Sequence, residues 1–449
     1  MHTDARGLLL STTADQAATA FDAAVAVYLG YRSGLPRLVR TMLEADPEFA
    51  LGHCLAGIVA MLGYDGRFVP AAAEALERAR ATAAGATRRE QTHIDALSAW
   101  VAGDIDRAVG AWETILTDHP RDILAFRLAH FANFWIGRPQ DMAASVRRIL
   151  PHWDPSVPGF AAVLACQCFA EEEAGNLLVA EPAGRRAIDL DPGDLWAAHA
   201  VAHVLEMQGR RREGIDWLTA LAPHWEGANN MVHHLWWHAA LFHLEQGRFG
   251  TVLELYDTRF RNLGARLTQA VPDLYIDVQN AASMLLRLEL QGVHVGARWE
   301  ELAEKAQVRI GDCVSAFTLP HWMMALAATG RAAAAGRLLA ALRDQGEGSG
   351  TAAAVLREVA LPVCEAVRAH RAGDLAACVA WLRPVLGAMH RLGGSHAQQD
   401  VLDQLFLDAA LRAGLEADVR LALERAAGRR PVPPSRQIGY RDAAARYPL

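Results

Sequence analysis

The chain has 449 residues, 52% hydrophobic, 21% charged and only 7% aromatic, a profile of Ala- and Leu-rich helices rather than of an aromatic, β-branched sheet. Its formal net charge of -7 argues against a nucleic-acid partner, which needs clustered Lys and Arg to displace counterions from phosphates. Residues 1–16 carry no basic segment followed by an apolar core, and no later stretch is apolar for long enough to span a bilayer, so a cytoplasmic protein with no membrane partner is expected.

In chain order, the interval from Gly30 to Pro47 is seventeen residues, and it recurs. Gly103-Asp104 is followed by Ala108, Ile115 and Pro120, and Gly175-Asn176 by Ala180, Ala187 and Pro192, at the same offsets of five, twelve and seventeen. A glycine can close one helix in a left-handed turn, a small residue lets the next helix approach, and a proline ends it. This spacing resembles the tetratricopeptide repeat. Turn glycines at Gly137, Gly209, Gly247, Gly292, Gly330, Gly373 and Gly414 extend the series in steps of 34 to 45 residues. The expectation is an all-α, strongly curved, right-handed solenoid of about ten helix-turn-helix repeats, without strands and with more than two thirds of residues helical. Residues 1–427 would form one superhelix, with a flexible break at 345–351 and a Pro- and Arg-containing tail or cap at 428–449. The longer steps beyond Gly247 imply lengthened helices or loops there. The six cysteines (Cys54, Cys166, Cys168, Cys313, Cys364, Cys378) include no C-x-x-C, so reduced core thiols are expected rather than disulfides or a thiolate zinc site.

Of the 18 histidines, seven lie between His199 and His243. His199, His203 and Glu206 are spaced i, i+4, i+7 and share one helix face, ten, six and three residues before Gly209. The same offsets before Gly137 select Arg127, Phe131 and Phe134, and before Gly175 they select Ala165, Phe169 and Glu172. In the next helix His234 and His238 are again i, i+4, and Trp237 falls ten residues before Gly247. Two histidines four apart can chelate one metal ion, and a carboxylate one turn on can complete the set, so His199, His203, Glu206 and His238 are candidate ligands of a divalent metal. The plain alternative is that these imidazoles are core groups bonded to helix carbonyls. His321 lies nine residues before Gly330, as His238 does before Gly247. Further on, Gly393-Gly394-Ser395-His396 opens a helix whose start favours an anion, with Asp400 one turn after His396 to orient the imidazole. An ordinary capped helix is the alternative there.

His-Ala-Val-Ala-His with Glu-Met-Gln-Gly at 199–209, Trp-Trp-His-Ala-Ala-Leu-Phe at 236–242, Tyr256-Asp257 and Gly-Gly-Ser-His-Ala-Gln at 393–398 together resemble the tetratricopeptide repeat protein 38 family. The resemblance covers most of the chain. It implies the fold and points to the site without naming a reaction, and Gln399 departs from it where that pattern tends to a basic residue.

Two classes of function follow. In the first, His199, His203, Glu206, His234, His238, His396 and Asp400 carry acid/base or metal-assisted chemistry on a small polar or anionic molecule in the concave groove. Arg127, Trp196, Trp237, His321 and Ser395 then contact that molecule. In the second, the groove is a non-enzymatic scaffold for a peptide or protein and Arg127 meets a carboxylate. Imidazoles, indoles and acids suit the first better than the Lys, Arg and Asn of a peptide groove. No Walker motif, G-x-G-x-x-G or G-x-S-x-G is present. The sequence leaves the oligomeric state open, a dimer included.

Overall fold

A computed structural model describes all 449 residues. The chain is an all-α solenoid of stacked helix hairpins, 73% helical. The expectation of no strands needs one correction, because His2–Thr3 and Leu9–Leu10 form a two-residue antiparallel ladder.

The helices gather into two compact units. The first comprises Met1–Val201, Pro223–Asn229 and Ser349–Ala352. Its hairpins pair Asp15–Leu29 with Leu35–Ala45, Ala50–Met61 with Val69–Ala81, Arg88–Val101 with Ile105–Asp118, Ile123–Trp135 with Pro139–Ile149, and Phe160–Glu173 with Leu177–Leu190. Thr87 and Glu90 make a reciprocal capping box, and Asp104 and Asp122 accept from backbone N–H groups three residues on, which fixes where three of these helices begin. Ser349–Ala352 docks on one of the turns: Ala352 N donates to Gly103 O (3.1 Å) and Thr351 Oγ1 to Asp106 Oδ2 (2.9 Å).

The second unit comprises Ala202–Ala222, Asn230–Gly348 and Ala353–Leu449. Its hairpins pair Met231–Leu244 with Phe249–Leu255, Tyr275–Leu290 with Arg298–Val308, Thr318–Ala328 with Ala332–Gly346, Leu361–Arg371 with Leu375–Leu382, and His396–Ala413 with Glu416–Arg429. The long step after Gly247 is filled by a π-type turn at Tyr256–Phe260 and a short helix at Arg266–Ala270. After Glu416–Arg429 the Tyr440 hydroxyl donates to Asp400, and a last helix runs over Arg441–Arg446.

All nine glycines from Gly103 to Gly414 in the series have φ between +67° and +88°, the left-handed turn that their spacing requires. At offset five Ala108 and Ala180 are buried at zero exposure, whereas Ala297, five residues after Gly292, is exposed. Gly30 is the exception, with φ -82°, and the left-handed position falls one residue later on Tyr31 (φ +52°). The glycine series also misses the hairpin of Ala50–Met61 and Val69–Ala81, where Tyr64 (φ +46°) takes the left-handed position.

Candidate functional site

The second unit gathers imidazoles from two helices. Leu195–Met207 carries His203, with His199 one turn earlier on the same helix, and Met231–Leu244 carries His234 and His238. The His203 and His238 rings are 4.5 Å apart, those of His234 and His238 4.8 Å, and Trp237 stacks on His234 at 5.1 Å and 12°. One ring nitrogen from each of His203, His234 and His238 lies within 4.8 Å of the other two. All three side chains are buried.

Two of these rings are oriented from behind. His238 Nδ1 stands 3.3 Å from Glu206 Oε2, and His234 Nδ1 2.9 Å from Asn280 Oδ1. An imidazole that donates from Nδ1 presents the Nε2 lone pair at its other end, the arrangement used by metal-ligating histidines. Burial, then the nearby His238 and His234 imidazoles, hold His203 well below the usual histidine range; burial and His238 do the same to His234. These two rings are therefore neutral near pH 7, as a base or a ligand must be. His233 faces elsewhere, with Nδ1 3.0 Å from Asp277 Oδ2.

A charge network closes this cluster on one side. Arg430 Nη1 is 3.5 Å from Glu206 Oε1 and its Nη2 3.6 Å from Asp400 Oδ1; Arg287 Nη2 is 3.8 Å from Asp400 Oδ2. Asp400 also accepts from Tyr440 Oη (2.8 Å) and Gln404 Nε2 (2.6 Å). Burial pushes the Asp400 carboxyl up, but Arg430, Arg287 and the two hydrogen bonds outweigh it and leave it below the usual range. Asp400, expected to orient His396, is thus the acceptor of an arginine, tyrosine and glutamine network. Glu206, expected as a metal ligand, sits between His238 Nδ1 and Arg430, outside the cluster of ring nitrogens. Arg430, Arg287, Asn280 and Tyr440 were not singled out by the sequence. None lies on the i, i+4 histidine pattern, and Arg430 falls in the segment read as a tail.

The Gly-Gly-Ser-His segment reaches the same place. Arg287 Nη2 donates to Ala397 O (2.6 Å), Gln398 Nε2 to Gln279 Oε1 (3.3 Å), and the His396 imidazole is near enough to disfavour charge on His203. Ser395, however, caps its own helix: Oγ accepts from Gln398 N (3.2 Å) and Ser395 N donates to Gln398 Oε1 (3.0 Å). Two of the backbone donors expected to hold an anion are consumed by this capping box. Gly393 and Gly394 are left-handed, and a Cβ on Gly394 would stand 2.8 Å from the Phe317 ring. His321 Nδ1 is 2.7 Å from Phe317 O on its own helix, and burial draws its pKa down to about 4 against the effect of that bond.

In the first unit, Arg127 is buried between Tyr31, Phe131 and Trp196, its guanidinium carbon 5.3, 4.4 and 4.9 Å from their ring centroids. Phe169 packs on Trp196 at 4.7 Å and on Phe134 at 5.3 Å. The offsets that selected Arg127, Phe131, Phe134 and Phe169 therefore do bring these side chains together. His199 joins this aromatic group, 4.6 Å from Trp196 and 5.5 Å from Phe169.

No family model matches the chain. Among solved structures, a chain from the structure of Naa15/Naa10 bound to HypK-THB is similar to it at 12% identity and a TM-score of 0.26; the match covers 96% of this chain and 66% of that one. No helix is long and apolar enough to cross a membrane.

Proposed function

We propose that the second unit carries a three-imidazole metal site, formed by His203, His234 and His238, for metal-assisted acid/base chemistry on a small polar molecule. One observation carries this reading: two of the rings have Nδ1 on a side-chain oxygen, of Glu206 and of Asn280, while ring nitrogens of all three converge. Any buried neutral imidazole needs an acceptor for its N–H, so what favours a ligand role here is that the acceptors lie behind rings whose nitrogens also converge on one another. Three histidines are the ligand set of zinc sites that keep an open position for water or substrate, and imidazole also suits copper, nickel and iron. In this reading Glu206 orients a ligand instead of serving as one, and Asp400, Arg287 and Arg430 fix Glu206 and the His396 helix. The motifs at 199–209, 236–242 and 393–398 support placing the chain with the tetratricopeptide repeat protein 38 family, and they contain His203, His238 and His396 of this site.

The test is elemental analysis of the purified protein, followed by zinc titration of the chelator-treated chain with thermal unfolding as readout. Retained metal, or a zinc-dependent rise in Tm that His234→Ala and His238→Ala abolish, is the expected result. A chain that purifies without a transition metal and unfolds at the same temperature with and without zinc would refute the proposal and return the scaffold reading.

A further inference from the structure

Arg127 is among the largest fully buried side chains of the molecule, and it makes no ion pair and no hydrogen bond with a carboxylate. Its two hydrogen bonds go to weak neutral acceptors, Nη1 to Cys166 Sγ (2.8 Å) and Nη2 to Tyr31 Oη (3.0 Å). The Nε–H has no acceptor. A guanidinium removed from water is costly unless it is paired, and two such bonds and an aromatic box offset only part of that cost. The nearby acid, Asp194, is occupied as a helix cap, with Oδ1 accepting from Ala197 N at 2.9 Å.

Other buried polar atoms near Arg127 also lack partners: Trp196 Nε1, Tyr28 Oη and both nitrogens of His130. Trp196 stacks over the guanidinium, and His130 lies on the same helix as Arg127, Ile123–Trp135. Such atoms are rare in folded proteins, and a group of them beside one unpaired cation offers hydrogen-bonding capacity that the protein itself does not use. The walls are otherwise apolar: Phe131, Phe169 and Trp196.

Tyr31 supplies the cover. It is a half-buried residue in a loop, held in the left-handed region that a tyrosine rarely adopts, with its ring stacked on Trp196 at 5.8 Å and 24°. Strain of this kind is kept where surrounding contacts impose it. Here they do: Asn229 N donates to Tyr31 O (2.8 Å), and the neighbouring Arg32 donates to Glu226 O (2.6 Å) and Gly193 O (3.1 Å).

We propose that the first unit contains a binding site for a small organic carboxylate, with Arg127 as the anion-binding residue, Phe131, Phe169 and Trp196 around its apolar body, and Tyr31 as the lid. A carboxylate with an aryl or alkyl body matches both the unpaired Nε–H of the guanidinium and the aromatic walls; an inorganic anion matches only the first. The inference does not depend on the imidazole site of the second unit.

The experiment uses the full chain and benzoate as probe, with benzamide as its uncharged counterpart and sulfate as an anion without an apolar body. Binding is read by calorimetry and by quenching of tryptophan fluorescence. The expected result is saturable binding of benzoate and none of benzamide or sulfate, with affinity reduced about tenfold or more in both Arg127→Lys and Arg127→Met. The lysine variant keeps the charge and decides the matter if the methionine variant does not fold. His234→Ala is expected to bind benzoate as the parent does, which separates this site from the proposed metal site. Absence of saturable benzoate binding by the parent, or unchanged binding in a folded Arg127 variant, would show that Arg127 is a structural cation only.

Discussion

Glu206 Oε2 lies 3.3 Å from His238 Nδ1 while Glu206 Oε1 lies 3.5 Å from Arg430 Nη1, so one carboxylate links an imidazole of the cluster to a buried guanidinium. In the proposed metal site it orients His238 from behind and raises the ligand strength of Nε2. Glu206→Gln keeps an acceptor for Nδ1–H but removes the negative charge, and zinc affinity is expected to fall about 10- to 100-fold. Competition against a fluorescent chelator measures it. An affinity unchanged by Glu206→Gln together with one lost in His238→Ala would mean that Glu206 plays no part in tuning the site.

Arg430 sits between the carboxylates of Glu206 and Asp400, and burial works against its charge while both acids favour it. Arg430→Ala removes the cation between Glu206, which is buried, and Asp400, which still keeps Arg287, Tyr440 and Gln404. Loss of one member of a buried ionic set typically costs about 3–5 kcal/mol, so a marked drop in the urea midpoint is expected. Asp400→Asn in the Arg430→Ala background removes one of the two negative charges that the arginine had balanced and is expected to recover part of the loss. A double variant less stable than the single one would contradict this account.

How much of this was legible in the sequence depended on which residues obey the repeat. Gly103 to Gly414 announced their turns because only a residue without Cβ adopts a left-handed φ cheaply; the offsets before them placed Arg127 beside Phe131, and i, i+4 spacing placed His234 beside His238. The hairpin of Ala50–Met61 and Val69–Ala81 was missed because Tyr64 pays that conformational cost in place of glycine. A signal did exist, since Leu29-Gly30-Tyr31 recurs as Leu62-Gly63-Tyr64, with both tyrosines left-handed. Arg430 and Tyr440 were out of reach, because their position depends on a C-terminal segment that follows no period. His396 and Asp400 share a helix, yet Asp400 is committed to arginine and tyrosine partners that spacing alone does not reveal.

Stability should depend on pH through the buried histidines. His203 and His234 lie well below the usual histidine pKa and His321 is drawn down to about 4, in each case first by burial. In the unfolded chain these groups titrate near 6.5, so between about pH 6.5 and 4 the unfolded state binds more protons and stability falls as pH falls. For His321 the loss is at most about 1.4 kcal/mol per pH unit in that window. Thermal unfolding between pH 8 and 4 should show a steep fall below pH 6.5, made shallower by His321→Phe. A Tm that is flat from pH 7 to 5 would rule out neutral buried imidazoles.

The approach of Arg211–Leu221 to the histidine helix Met231–Leu244 rests on a small residue. Gly214 is five residues after Gly209, the offset held by Ala108 and Ala180 in other repeats, and a Cβ there would run into the Phe242 ring. Phe242 lies one turn after His238 on the same helix, is buried, and has little room to move. Two opposing terms decide the effect of Gly214→Ala. Alanine favours the helix by up to about 1 kcal/mol over glycine, whereas overpacking a buried ring costs about 1–3 kcal/mol. The second should win, giving a net loss. Gly110→Ala is the control, because Gly110 lies on the exposed face of Ile105–Asp118 with nothing within 4 Å of the new methyl group; it should gain about 0.5–1 kcal/mol from helix propensity alone. Urea unfolding of both variants measures the difference, and zinc titration of Gly214→Ala should show weaker binding, since a displaced Phe242 shifts the turn that carries His238. If Gly214→Ala proves as stable as the parent, close packing of Arg211–Leu221 on Phe242 is not what fixes Met231–Leu244, and with it His234 and His238, in place.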